Sequence, residues 1–149
     1  MSELKKRLFE ACENYVEERI ARVEAAISDL EAALKLETKC SMGDKYETGR
    51  AMLHLEFEKL AGRHEQYRKL RKTLRMIPEK ASKNVTFGTA VETTAANYYL
   101  AIPAGELQVD GKTFFAVGAA SPIAQALTGK KVGETVTFGG KQLQIKNII

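Results

Sequence analysis

The sequence predicts an α+β protein: an N-terminal antiparallel coiled-coil hairpin followed by a small α+β domain with one short helix. Two observations carry this. Apolar residues in the first half are arranged as mirror images about a single point. Beyond Pro78 the apolar period drops from helical to strand spacing, punctuated by turn dipeptides. The hairpin takes residues 1–78, with an acidic tip at 43–47. The second domain takes residues 79–149.

The mirror is explicit in the residues. Val16, Ile20, Val23, Ile27, Leu30 and Leu34 rise with alternating steps of four and three. Leu53, Phe57, Leu60, His64 and Tyr67 descend, followed by Leu70 and Leu74. Pairing Leu34 with Leu53, Leu30 with Phe57, Ile27 with Leu60, Val23 with His64 and Ile20 with Tyr67 gives one shared midpoint, between Gly43 and Asp44. Alternating three–four spacing is a coiled-coil seam. A shared midpoint makes both strands of that seam one chain folded back on itself. Roughly 34 residues at 1.5 Å each predict an arm on the order of 50 Å.

The first helix is expected over about 2–37, a stretch without proline or glycine. Leu4, Leu8 and Cys12 continue its apolar stripe below the paired region, so its base should pack on the second domain. The second helix is expected over about 45–76, weakened locally at Gly49 and Gly62 and stopped by Pro78. Strand composition appears in Val85–Val91, Asn97–Ile102, and Lys112–Val117 after the Asp110-Gly111 turn. Ser121-Pro-Ile-Ala-Gln-Ala-Leu-Thr-Gly129 reads as a complete short helix, with Ser as N-cap, Pro at the first position and Gly past the end. Thr135–Phe138, Gly139-Gly140 and Lys141–Ile145 read as a hairpin. Roughly five strands are expected in all, with a core thin enough to need the helical base against it.

Composition sets bounds on function. Across 149 residues the net charge is +4 and apolar residues make up 44%. That charge is too low to mark a nucleic-acid binder by itself. The first helix is rich in acids. The end of the second is basic, through Lys59, Arg63, Arg68, Lys69, Arg71, Lys72 and Arg75. This reads as charge pairing on solvated faces, or as a basic side that meets a phosphate backbone. No membrane span or secretory leader is visible, so a cytoplasmic protein is expected. Cys12 and Cys40 lie at opposite ends of one helix, on the order of 40 Å apart. A disulfide needs Cα atoms within about 7 Å, so they do not pair within the chain. With only His54 and His64 beside them they form no zinc site.

The tip carries the candidate chemistry. Asp44 and Glu47 stand three apart at a helix start. Two such carboxylates can share a hard cation such as Mg²⁺, an incomplete site until a partner adds ligands. The same spacing is a capping box, in which each residue serves the other's backbone amide. Elsewhere, His64 reads as a packing histidine. Ser121 reads as a cap rather than a nucleophile. Tyr98 and Tyr99 have no evident hydroxyl partner, and one of the two rings should be core.

Gly43-Asp-Lys-Tyr-Glu47 between two arm helices resembles the tip motif of the Gre transcript-cleavage factors, GreA and GreB, whose tip reads Gly-Asp-x-x-Glu-Asn. Ser121-Pro-Ile-Ala-Gln-Ala-Leu-Thr-Gly-Lys130 resembles the Ser-Pro-Ile run, short helix and Gly-Lys of that family. Phe87-Gly-Thr-Ala-Val91 resembles the first strand of its C-terminal domain. The order of parts matches over nearly the whole chain.

The resemblance implies an FKBP-like C-terminal domain that binds bacterial RNA polymerase at the rim of its secondary channel, through Ser121, Pro122 and Ile123. It implies that the coiled coil threads the channel as a monomer. Asp44 and Glu47 then help hold an Mg²⁺ shared with the polymerase, so that backtracked RNA is cleaved in the polymerase's own active centre. The chain would not be an independent enzyme, and it would bind no metal alone. The tip departs from the family pattern, because Thr48 replaces Asn and Gly49-Arg50 replaces Ala-Glu. Lys39, Lys45 and Arg50 add positive charge that could grip the nascent RNA 3′ end. The same departures fit a channel-binding regulator without cleavage activity. A prolyl isomerase is a third reading of an FKBP-like domain. It is disfavoured because such enzymes floor their pocket with tryptophan, and this chain has none.

Overall fold

A computed structural model describes the backbone of residues 2–39 and 43–149 and the side chains of residues 2–36 and 49–149. Helix α1 spans Glu3–Lys39 and helix α2 spans Gly43–Arg75. Six strands come next: β1 Ala90–Thr93, β2 Asn97–Ala101, β3 Gly105–Val109, β4 Lys112–Gly118, β5 Thr135–Phe138 and β6 Lys141–Ile148. Helix α3, Pro122–Leu127, lies between β4 and β5. The fold class is the α+β arrangement expected from the sequence. The chain divides into two compact units, Val16–Leu70 and the combination of Met1–Tyr15 with Arg71–Ile149.

The first of these units is the paired arm. Its core cluster contains Val23, Leu30 and Leu60, with Ala26, Ile27, Leu53, Phe57 and Tyr67 packed against them. Apart from Ala26, these are residues of the mirror seam. Each buried leucine contributes roughly 1.5–3 kcal/mol of apolar transfer energy. His64 Nε2 lies 3.1 Å from Glu24 Oε1 across the hairpin, and the ring is half-buried. Gly62 sits within α2, and a Cβ built there meets no heavy atom within 4 Å. Gly62→Ala is therefore expected to stabilise the arm by about 0.5–1 kcal/mol through helix propensity alone. Thermal unfolding followed by circular dichroism measures it, and an unchanged midpoint would contradict it.

The second unit is built on one sheet, with strand order β3-β4-β2-β1-β6-β5. All pairings are antiparallel except β2 with β4. Side chains alternate across the strands. One face buries Val91, Leu100, Val136, Leu143 and Ile145 beneath Ile123, Ala124 and Leu127 of α3. Tyr99 and Phe114 are both fully buried. Leu8 and Cys12 of the α1 base, also fully buried, belong to the same unit. The base of α1 is thus part of the sheet unit.

Three details of this unit differ from the sequence reading. Strand β3 has no counterpart among the expected strands, and it brings the sheet to six. The stretch 85–89 is a turn rather than a strand. Thr89 Oγ1 donates to Thr86 O at 2.7 Å and accepts from Thr86 N at 3.1 Å. Gly88 has φ +90°, and a Cβ there would stand 2.8 Å from Ile77 Cγ2. Both facts restrict the position to glycine. The third difference is the parallel pairing of β2 with β4. The Asp110-Gly111 turn is as expected: both residues have positive φ, 54° and 73°, the signature of a tight hairpin turn whose twist matches the strands.

Candidate functional site

Helix α1 ends at Lys39 and α2 begins at Gly43, so the mirror midpoint between Gly43 and Asp44 falls in the first turn of α2, just after the break between the helices. Asp44 and Glu47 fall in the first turns of α2. Their side chains lie outside the described residues, as do those of Lys39 and Lys45. The capping box and the cation reading rest on those side chains and lie outside them too. An acid at the start of a helix is favoured by the positive end of the helix dipole, by about 0.3–1 kcal/mol. Arg50 is exposed. Among the described residues no group of three His, Cys, Asp or Glu side chains is placed to hold a metal ion.

The second candidate is the entry to α3. Ser121 is its N-cap, with extended backbone at φ −66° and ψ 151°. Its Oγ accepts from Ala124 N at 3.3 Å and donates to Gly118 O at 2.7 Å. That hydroxyl is committed to local structure at both ends. Pro122 opens the helix and is exposed. Ile123 differs from expectation as a partner contact. It is 8% exposed and packs into the sheet core with Ala124 and Leu127, because the first turn of so short a helix rotates it inward. Of the three residues only Ser121 and Pro122 present surface. At the other end of α3, Thr128 Oγ1 donates to Ala124 O at 2.6 Å. Gly129 N donates to Val85 O at 2.7 Å.

Cys12 and Tyr99 are both buried and titratable. Cys12 is a free, buried thiol, and burial pushes it from 9.0 up to about 12. Tyr99 Oη has no hydrogen-bond partner among the described residues. Burial, and secondarily the charge of a Cys12 thiolate, push it above the usual phenol range. One ring of the Tyr98–Tyr99 pair is expected to be core, and Tyr99 is that residue. A thiol raised in the folded state supports stability fully below its unfolded pKa, and loses that support as pH rises through about 9 to 12. Cys12 should therefore resist iodoacetamide at pH 8 in the native protein and react once the protein is unfolded. Peptide mass mapping reads this directly. Native labelling as fast as unfolded labelling would contradict the burial.

Sequence reasoning missed Lys5. It sits in the first turn of α1 and is 3% exposed, although a lysine is rarely found fully buried. A spacing signal did exist, since Lys5 precedes Leu8 and Cys12 at steps of three and four. Arg7 instead reaches outward and pairs with Asp110 at the β3–β4 turn.

No protein-family model and no curated protein matches this chain. Among solved structures it is similar to the transcription factor Gfh1, at 16% identity, covering 89% of this chain and 90% of that one, with a TM-score of 0.35. It is likewise similar to GreA factor homolog 1 (Gfh1) of Thermus thermophilus, at 18% identity, covering 90% and 92%, with a TM-score of 0.34. Superpositions this loose decide neither the fold nor the function of this chain. Among the described residues no helix is long and apolar enough to cross a membrane.

Proposed function

We propose that this protein is a Gre-like elongation factor. It binds bacterial RNA polymerase and stimulates the polymerase's Mg²⁺-dependent cleavage of backtracked RNA. The observation that carries the reading is the place of the reversal. Gly43-Asp-Lys-Tyr-Glu47 opens α2, directly after the break that follows α1, so two acids stand in the opening turns of the second helix, next to the junction of two long paired helices. A carboxylate pair suits Mg²⁺, which prefers oxygen ligands. Asp44 and Glu47 would supply those oxygens only when the arm is inside the polymerase. Bound there, the ion would provide the charge stabilisation and water activation of two-metal hydrolysis. A second reading, a channel-binding regulator without cleavage, is favoured specifically by Thr48 and Gly49-Arg50 at the tip. The test is denaturing electrophoresis of labelled transcripts after the protein is added to a backtracked complex. Shortened transcripts support cleavage. Full-length transcripts from a factor that still binds the polymerase move the function to the second reading.

The sheet domain is the proposed seat of polymerase binding, and two adjacent substitutions separate structure from contact. Ser121→Ala removes the cap and should cost about 1 kcal/mol of stability. Pro122→Ala keeps the cap, so the fold should stay intact while affinity for the polymerase falls. Equal affinity of the Pro122 variant and the wild type in a pull-down titration would end the rim assignment.

A further inference from the structure

We propose that the cavity beside the first turn of α1 binds a small aliphatic monocarboxylate, with the Lys5 ammonium as its counter-ion. The cavity measures ≈ 150 Å³ and is lined by Ser2, Lys5, Glu79, Ala81, Ile148 and Ile149. Three properties of this wall select the ligand.

The first is the lysine. Lys5 is buried to 3% exposure, and burial lowers its pKa with no charged partner among the described residues to offset the loss of water. An ammonium in that position gains from any anion that reaches it. The second is the helix start, where Ser2 Oγ accepts from Lys5 N at 3.3 Å and the positive end of the helix dipole favours negative charge. The third is the remainder of the wall. Ala81, Ile148 and Ile149 offer aliphatic surface to an alkyl chain, while the Glu79 carboxylate opposes a second negative charge. A single carboxylate on a short hydrocarbon meets all three conditions, and a phosphate dianion fails the third on both counts. The volume limits the ligand to about eight heavy atoms or fewer, below the ~300–1,000 Å³ of drug-sized pockets. This site is independent of the acids at 43–47 and of the polymerase reading.

The experiment titrates acetate, butyrate and inorganic phosphate separately into the full-length ¹⁵N-labelled protein and follows backbone amides at Lys5, Ala81 and Ile148. Saturable shifts are expected. Butyrate should bind about tenfold more tightly than acetate, because two further methylenes leave water, and phosphate should bind more weakly than either. Lys5→Met should abolish the shifts. Glu79 is exposed, so Glu79→Gln leaves the fold alone and should tighten carboxylate binding several-fold even if the Lys5 variant fails to fold. Shifts that do not saturate, phosphate binding as tightly as butyrate, or a folded Lys5→Met protein that still binds would each overturn the proposal.

Discussion

Asp44→Asn is expected to reduce Mg²⁺-dependent transcript cleavage sharply while leaving stability within about 1 kcal/mol and polymerase binding intact. The substitution removes one charged oxygen and little else. Asn serves a helix start about as well as Asp does, and the dipole interaction forfeited is about 0.3–1 kcal/mol. Glu47→Gln should act in the same direction more mildly, since Gln can still return to the backbone in a capping box. Cleavage, binding and melting temperature measured on one preparation separate the outcomes. Undiminished cleavage by the Asp44 variant would remove the metal role. A parallel loss of melting temperature would make the effect structural.

Phe114→Ala is expected to produce the largest loss of stability, about 3–5 kcal/mol. Phe114 is fully buried. It sits in β4, in register with Asn97 of β2 on one side and Leu107 of β3 on the other. Truncation would leave a cavity against the sheet, where backbone pairing on both sides limits relaxation. Against a total of about 5–15 kcal/mol for a typical domain, the loss should lower the melting temperature by roughly 10–20 °C. A shift of only a degree or two in thermal circular dichroism would show that the ring is not integral to the core.

Strong periodicity is what makes a fold legible in a sequence. The helical hairpin can be read because Val23, Ile27, Leu30, Leu53, Phe57 and Leu60 keep one seam over many turns. The α3 caps can be read because Ser121, Pro122 and Gly129 each have a local conformational reason to be there. Strand β3 is hidden because Gly105, Glu106 and Gln108 are poor strand formers, and only Leu107 and Val109 are buried. The parallel pairing of β2 with β4 is hidden for a topological reason. The chain leaves β2, turns through Ile102–Ala104 into β3, and only then returns as β4 between them, against the tendency of successive strands to be neighbours. Val85 misleads because it is buried for packing, beside a turn that Thr86, Gly88 and Thr89 dictate. Of the candidate site, the place of the acids in the chain is readable, whereas the inward rotation of Ile123 and the burial of Lys5 depend on tertiary packing.

The division of the chain has a kinetic consequence. The unit containing the sheet is discontinuous, with Met1–Tyr15 and Arg71–Ile149 separated by the whole paired arm. Joining its two pieces from an unstructured chain would cost on the order of 3–4 kcal/mol in loop-closure entropy for an intervening segment of that length. The arm is a local structure built from short-range helical contacts, of the kind that forms in microseconds. Once its two helices pair, the flanking segments Met1–Tyr15 and Arg71–Ile149 are held for the one unit that they share. The slower assembly of a sheet whose β1 must find the distant β6 then starts from a closed loop. The arm is thus a folding template for the domain that it interrupts in sequence, whatever it later reaches into.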